Sequence, residues 1–197
     1  MSHYFHTPTG EEHRRFVRMR FWETDWQFAT ADGVFSADGL DLGTSVLLRE
    51  STPPAGAARL LDLGCGYGVI GLAVAAAVPD AVVTGVDVNE RAVLLANDNA
   101  AALGLSSRYH AAVPSQVPGD ATFDEIWSNP PIRIGKEALH ELLRTWLGRL
   151  VSGGRAVLVV GKNLGADSLQ RWLDGQGYPT VRLASAKGFR VLESRRP

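Results

Sequence analysis

What the sequence lacks narrows the field first. A single cysteine, Cys65, among 197 residues excludes an internal disulfide framework and fits a reducing compartment. No apolar run approaches the roughly 20 residues needed to span a bilayer. The first residues, Met1-Ser2-His3-Tyr4-Phe5-His6, are polar and aromatic and do not read as a secretory segment. These absences lead to the expectation of a cytoplasmic protein with no membrane partner. The five histidines are scattered, and His3 and His6, though close, have no cysteine or acid at ligand spacing, so no metal is expected. There are no internal repeats and no low-complexity tract, and nothing sets an oligomeric state. Net charge is only −1 and gives no sign of a polyanionic partner.

The distribution of that charge is more informative. Residues 1–129 hold 8 Lys and Arg against 16 Asp and Glu, whereas residues 130–197 hold 12 against 5, so a net −8 precedes a net +7. The expectation is a polarised molecule with a basic side, although solvated Arg-rich helix faces give the same count. Hydrophobic residues make up 45% and charged residues 21%, as in an ordinary globular domain.

Residues 1–40 read as an appendage. Phe16–Phe21 and Trp26–Ala29 are strand-like runs around polar Glu23-Thr24-Asp25, which predicts a hairpin. Asp32-Gly33-Val34-Phe35-Ser36 is a turn carrying a large apolar residue, and a helix capped by Asp41 is expected over 42–48. After the breaker cluster Ser51-Thr52-Pro53-Pro54-Ala55-Gly56, strands and helices alternate. Strands are expected near 59–63, 81–86, 107–111, 123–128 and 155–160, and helices near 68–78, 90–102, 136–151 and 166–174. Leu139, Leu142, Leu143, Trp146, Leu147 and Leu150 form a one-sided helical stripe. Two β-rich runs, 180–183 and 189–192, flank Lys187-Gly188 and predict an edge hairpin. Such alternation implies an α/β fold, with a mostly parallel, doubly wound sheet and helices on both faces.

In folds of this kind ligands bind beyond the carboxyl ends of the strands. Three strand ends stand out here. The first is Leu60-Leu61-Asp62-Leu63-Gly64-Cys65-Gly66-Tyr67-Gly68, an apolar strand, an acid and three alternate glycines before a helix. Glycine suits backbone that takes positive φ or touches a ligand, and N–H groups at such a turn face whatever sits there. The second is Asp87, about 20 residues past the last close-set glycine, where nucleotide-binding folds place the acid that holds a ribose. The third is Ser128-Asn129-Pro130-Pro131. Two prolines must end the strand and hold Asn129 extended, leaving its amide and the Pro130 carbonyl to meet a ligand. A plain strand-ending Asn-Pro turn reads the same way locally. Cys65 is read as a small residue fitting a tight turn rather than a nucleophile.

Asp62-x-Gly64-x-Gly66-x-Gly68 resembles motif I of the class I S-adenosylmethionine methyltransferases rather than a pyrophosphate loop. Together with Asp87-Val88-Asn89-Glu90-Arg91-Ala92, Ser128-Asn129-Pro130-Pro131-Ile132-Arg133-Ile134-Gly135-Lys136, His3-Tyr4-Phe5 and the Phe35 turn, it makes nearly the whole chain similar to the small-domain methyltransferases related to ribosomal RNA small-subunit methyltransferase C. The likeness is to single-domain Gram-positive members, which lack the duplicated N-terminal half. It implies a Rossmann-like seven-stranded sheet with a C-terminal antiparallel hairpin, residues 41–197 as the methyltransferase domain, and residues 1–40 as a β extension packed on it. It also implies S-adenosylmethionine as cofactor and methylation of a guanine N2 in small-subunit ribosomal RNA, free or in an assembly intermediate.

On that resemblance, Phe35, Asp62, Gly64, Cys65, Gly66, Gly68, Asp87, Val88 and Asn129 would hold the cofactor, with Asp62 turned toward the sulfonium. Asn129, Pro130 and Pro131 would be catalytic, the Asn129 oxygen and Pro130 carbonyl accepting the N–H groups of the target amine. Ile132, Arg133, Lys136, Lys162, Lys187 and Arg190 would meet RNA. The chain departs from the pattern in two places. Ile132 stands where many amino-directed relatives have a base-stacking aromatic. His110-Ala111-Ala112-Val113-Pro114-Ser115 contains no acid for the cofactor's adenine amine, which leaves backbone and apolar contacts to hold it. Other acceptors compatible with the motifs are a protein glutamine amide or a small-molecule amine. A cofactor-binding assembly factor without activity is the non-enzymatic alternative.

Overall fold

The computed structural model describes residues 13–22, 24–56 and 58–197. The expectations placed on His3, Tyr4, Phe5 and His6 fall outside them. A hairpin of β1 (Arg14–Phe21) and β2 (Thr24–Ala31) forms its own antiparallel sheet. Its strands run longer than the apolar residues suggested, and Thr24 and Asp25 belong to β2 because they pair with Phe21 and Arg20. Helix α1 (Leu42–Glu50) follows, its Asp41 cap accepting the Thr44 N–H at 2.9 Å.

The main sheet has seven strands: β3 (Arg59–Leu63), β4 (Val82–Val86), β5 (Tyr109–Ala112), β6 (Phe123–Ser128), β7 (Leu150–Gly161), β8 (Thr180–Ala186) and β9 (Phe189–Arg195). Their order is β5-β4-β3-β6-β7-β9-β8. The first five are parallel, while β9 runs antiparallel between β7 and β8. This is the Rossmann-like seven-stranded sheet expected from the resemblance, closed by an antiparallel hairpin. Lys187 (φ 49°) and Gly188 (φ 82°) make the two-residue turn, both in the left-handed region that matches the twist of a hairpin.

Alternation along the strands divides the core in two. Leu60, Val83, Tyr109, Trp127, Val157 and Val159 face α1, α2 (Val69–Ala77), α3 (Glu90–Ala102) and the hairpin residues Trp26 and Phe28. Leu61, Leu63, Val86, Ile126, Leu158 and Val160 face α4 (Lys136–Leu147) and α5 (Ala166–Gly175). Each large side chain so buried contributes roughly 1.5–3 kcal/mol. Asn99 of α3 ties the hairpin to the core, accepting Ala29 N–H at 2.7 Å and donating to the Ala29 and Tyr67 carbonyls, each at 2.9 Å.

One boundary differs from the sequence reading. Helix α4 ends at Leu147, and Leu150 begins β7 opposite Phe123 instead of continuing the helix. Leu150 is buried in the same cluster as Leu143 and Leu147, so burial periodicity alone does not tell the two states apart. Gly148 ends the helix, and the register shift between Phe123 and Glu125 lets β7 carry Gly153-Gly154. Among the described residues no helix is long and apolar enough to cross a membrane.

Candidate active site

The glycine turn joins β3 to α2 through three residues of positive φ, Gly64 (73°), Gly66 (55°) and Gly68 (93°). The turn is fastened to the end of β4, because Gly64 and Cys65 both donate to the Val86 carbonyl, at 2.8 and 3.0 Å. Asp87 then clamps it from the far side, accepting Gly66 N–H at 3.0 Å and Asn89 N–H at 2.9 Å. Burial raises the Asp87 carboxyl above its ordinary range, while the N–H groups of Asn89, Gly66 and Val88 hold it back. Asp87 and Val88 both line the cavity that opens here, and Val88 is about half exposed.

Asp62 is placed differently from the sequence expectation. It lies behind the turn, 1% exposed, accepting Gly71 N–H at 2.8 Å, and presents no surface to the cavity. Burial pushes its carboxyl up to about 7, with the Gly71 N–H opposing the rise and the Asp87 charge adding to it. It seats the start of α2, and Asp87 is the acid that lines the cavity. Gly68 is likewise packed inward, toward Leu72, Tyr109 and Ala96, whereas Gly64, Cys65, Gly66 and Tyr67 of the turn reach a pocket. Burial, with Asp62 and Asp87 nearby, pushes the Cys65 thiol well up, the reverse of an activated nucleophile.

The segment from Asp32 to Gly39 arches over this turn. Asn89 donates to the Gly33 carbonyl and Arg91 to the Asp32 carbonyl, both at 2.8 Å, and the Tyr67 hydroxyl donates to Gly39 at 3.1 Å. Phe35 is thereby held half exposed at the lip of the cavity.

Across the cavity, β6 ends where the Ser128 hydroxyl donates to the Leu63 carbonyl at 2.6 Å, joining the two strand ends. Asn129 follows, half-buried, its amide nitrogen donating to Asp41 Oδ2 at 2.7 Å and Thr44 Oγ1 at 3.1 Å. Its Oδ1 has no partner among the described residues. The Pro130 carbonyl is not wholly free, because Ile132 N–H donates to it at 2.8 Å, leaving one lone pair. The cavity between the walls measures about 490 Å³, within the range of small-molecule sites. Ala92, Pro114, Leu142 and Trp146 line it together with Asp87 and Val88, while Val159, Gly161, Leu164 and Phe189 line it beside Asn129 and Ile132.

Arg133 is exposed on the cavity wall, and Lys136 is exposed at the start of α4. Lys162 and Lys187 are exposed and held near one another, since Lys162 N–H donates to the Gly188 carbonyl at 2.8 Å. None of these four cations makes a salt bridge among the described residues. Arg190 departs from the sequence expectation. It is buried and ion-paired with Asp167, so it is not presented to a partner.

A family model described as Methyltransferase small domain matches residues 25–193. The chain belongs to this methyltransferase family. It is 31% identical to the Bacillus subtilis uncharacterized protein YbxB over 99% of this chain and 98% of that one. It is 41% identical to Ribosomal RNA small subunit methyltransferase C of Salmonella choleraesuis, over 66% of this chain but 39% of that one. Among solved structures, the 16S rRNA N2 methyltransferase RsmC of T. thermophilus, in complex with AdoMet and guanosine, superposes with a TM-score of 0.80. That match is 25% identical and covers 96% of this chain and 52% of the other. The chain thus spans about half, or less, of these ribosomal RNA methyltransferases.

The cofactor of this methyltransferase is S-adenosylmethionine, and the cavity fits it on its own evidence. A Cβ added at Gly64 or Gly66 would meet nothing within 4 Å. The turn is therefore a bare backbone cradle that side chains would fill. Asp87, at the end of β4, would offer ribose hydroxyls an acceptor, and Pro114 and Ala92 on the same cavity would offer apolar contact in place of the absent acid after β5. Sequence reasoning gave Asp41 only a capping role and did not single out Thr44, Gly161, Leu164 or Phe189. The cap signal at Asp41 was legible, but nothing local marks its reach to Asn129, 88 residues away. Among the described residues no three acids, histidines or cysteines gather as a metal site.

Proposed function

We propose that the protein methylates the exocyclic N2 amine of a guanine in small-subunit ribosomal RNA, and so works in the cytoplasm where ribosomes assemble. The observation that carries this reading is the Asn129 side chain. Its nitrogen is engaged by Asp41 and Thr44, and its oxygen is left at the cavity between the glycine cradle and the exposed cations Arg133, Lys136, Lys162 and Lys187. An exocyclic amine is a poor nucleophile because its lone pair is drawn into the ring. Asn129 Oδ1 and the remaining lone pair of the Pro130 carbonyl accept its two N–H groups and favour a lone pair aimed across the cavity. The bound cofactor supplies a methyl group on a positive sulfur, already strongly electrophilic, so the protein's share of the work is alignment and electrostatics.

Proline at 130 and 131 fixes the backbone that carries these acceptors. Asn129 cannot keep a proton, so the one released from the amine passes to water at the open mouth. Ile132 gives the base apolar contact, and Arg133, Lys136, Lys162 and Lys187 meet phosphates around it. A base paired in a duplex has to be flipped out to reach Asn129, so an exposed nucleotide or an assembly intermediate is the better substrate. The similarity to the T. thermophilus enzyme supports guanine. The test is incubation with radiolabelled S-adenosylmethionine and separate pools of ribosomal RNA, protein and metabolites, followed by nucleoside analysis of the labelled RNA. Label at N2 of guanosine is expected; label confined to protein or metabolites overturns the reading.

A further inference from the structure

A primary amide has a donor end and an acceptor end of almost the same shape. Which end faces the cavity decides whether the site takes a group bearing hydrogens or one offering only lone pairs. A half-buried asparagine whose partners are only hydroxyls or water would turn over at little cost. Asn129 is not so held. Its Nδ2 lies 2.7 Å from Asp41 Oδ2 and 3.1 Å from Thr44 Oγ1. The threonine hydroxyl both donates and accepts and so tolerates either orientation, whereas an ionised carboxylate only accepts. Turning the amide over would set Oδ1 against Asp41 Oδ2, two acceptors at hydrogen-bond distance with no proton between them. Asp41 therefore supplies the asymmetry.

Asp41 is itself fixed. It caps α1 by accepting the Thr44 N–H at 2.9 Å, so one carboxylate oxygen serves both the helix and the asparagine. The residue between them is glycine for a reason of space. A Cβ at Gly43 would lie 2.9 Å from Asp41 Oδ2, 3.0 Å from Phe189 Cε1 and 3.3 Å from Asn129 Nδ2. The start of α1 is thus shaped around the Asn129 amide, although α1 precedes the first parallel strand.

We propose that Asp41 is a positioning and specificity-determining residue, which holds Asn129 with its oxygen toward the cavity so that the site selects an N–H-bearing methyl acceptor and rejects an acceptor-only atom. The inference rests on the reading of Asn129 under Proposed function. Thr44 supports the arrangement without deciding it.

The experiment exchanges the two partners. Turnover on the labelled RNA pool and cofactor Kd are measured for Asp41→Asn, Asn129→Asp, the double variant, and Asn129→Ala. With its oxygen at the shared position, Asp41→Asn keeps the cap. Turning its amide nitrogen toward residue 129 in the double variant gives up the Thr44 N–H bond and should lower the melting temperature slightly. Melting curves check that each variant folds. Asn129→Asp sets two carboxylates against each other, and its turnover should fall about 100-fold. Asp41→Asn removes the charge that forbids the turned amide and leaves only the Thr44 cap bond to oppose a joint rotation, so turnover should fall about threefold. In the double variant donor and acceptor change places, the carboxylate at 129 still offers an oxygen to the cavity, and turnover should recover at least about 10-fold over Asn129→Asp. Cofactor Kd should stay within about threefold in Asp41→Asn and Asn129→Ala, because Gly64, Gly66 and Asp87 are untouched. Asn129→Asp adds a charge beside a cationic cofactor, so its turnover is compared at saturating cofactor.

Asp41→Asn with wild-type turnover, or a double variant no better than Asn129→Asp, overturns the positioning role. Asn129→Ala separates this from failure of the underlying reading. If Asn129→Ala retains wild-type turnover, the role of Asn129 falls and the inference with it. If Asn129→Ala is inactive and the exchange gives no recovery, only the role of Asp41 falls.

Discussion

On one wall of the cavity the glycine turn is held by partners close in sequence: Asp62 to Gly71, nine residues on, and Asp87 to Gly66, 21 residues back. The acceptor in each of these bonds is a carboxylate, and the donor is backbone N–H. On the other wall Asn129 depends on Asp41 and Thr44, 88 and 85 residues earlier, and Phe189 of the C-terminal hairpin closes beside them. The first wall is a motif that carries its own geometry. The second exists only after the sheet, α1 and the hairpin have come together. A change in the first wall should therefore alter cofactor binding, and a change in the second should alter methyl transfer.

The sharpest test of that division is Asn129→Ala. Removing an acceptor that acts at the reacting nitrogen should lower turnover about 10²–10³-fold, by analogy with the loss of one preorganised polar group elsewhere. Equilibrium dialysis should show S-adenosylmethionine binding within about threefold of wild type. Equal loss of binding and turnover would mean that the two walls are not separable.

The next effect belongs to the first wall and is read in stability. Asp62 titrates at about 7 in the folded chain, against 3.8 as its ordinary value. The folded state thus holds a proton that the unfolded chain releases. Stability should be greatest near or below pH 4 on this account and fall as pH rises toward 7, by on the order of 2 kcal/mol between pH 5 and 8. Asp87, raised in the same direction, adds to the slope. Asp62→Asn keeps an oxygen for the Gly71 N–H and cannot ionise, so the melting temperature of the cofactor-free protein should vary less with pH. Parallel curves for the two proteins would place the pH dependence elsewhere.

This contrast also explains what the sequence disclosed. The turn from Asp62 to Gly68 and the acid at Asp87 are phased by one strand-helix-strand unit, so spacing reports their meeting directly. The sheet and its helices follow from apolar alternation for the same local reason. Asn129 was visible because two prolines must end a strand, but the orientation of its amide was not. That orientation depends on Asp41, whose sequence signal is an ordinary helix cap. Arg190 failed in the opposite way. It stands in a basic stretch beside an exposed hairpin tip, yet strand β9 turns it inward to Asp167, and charge counting cannot see which face a strand residue takes. Leu150 shows the same limit, since a buried leucine serves a helix or a strand equally.

Gly66→Ala probes the first wall from within the turn itself. Gly66 has φ of 55°, and a Cβ there would meet nothing within 4 Å in the small pocket that adjoins the larger cavity at Phe35, Gly64 and Asn129. Cofactor affinity should fall about 10-fold through contact with the added methyl, with a stability loss of about 1 kcal/mol from left-handed backbone. Turnover at saturating cofactor should stay within a few-fold. A large fall in turnover with unchanged affinity would reverse the assignment of the two walls.

The smallest effect, and the one that separates a basic surface from a basic composition, concerns the cations beside Asn129. Arg133, Lys162 and Lys187 are exposed and without salt bridges among the described residues, whereas Arg190 is spent on Asp167. Replacing any of the first three with alanine should weaken RNA binding a few-fold at moderate salt and reduce the slope of log affinity against log salt by about 0.7–0.9 for each phosphate no longer neutralised. Arg190→Ala should leave the slope unchanged and lower the melting temperature, because it strips the buried partner from Asp167. Fluorescence anisotropy across a salt series reads the slopes, and a melting curve reads the stability. If Arg190→Ala lowers the slope as Lys187→Ala does, the basic side of the molecule acts as a diffuse field rather than through the few cations that the hairpin and the loop after β7 bring to the mouth of the site.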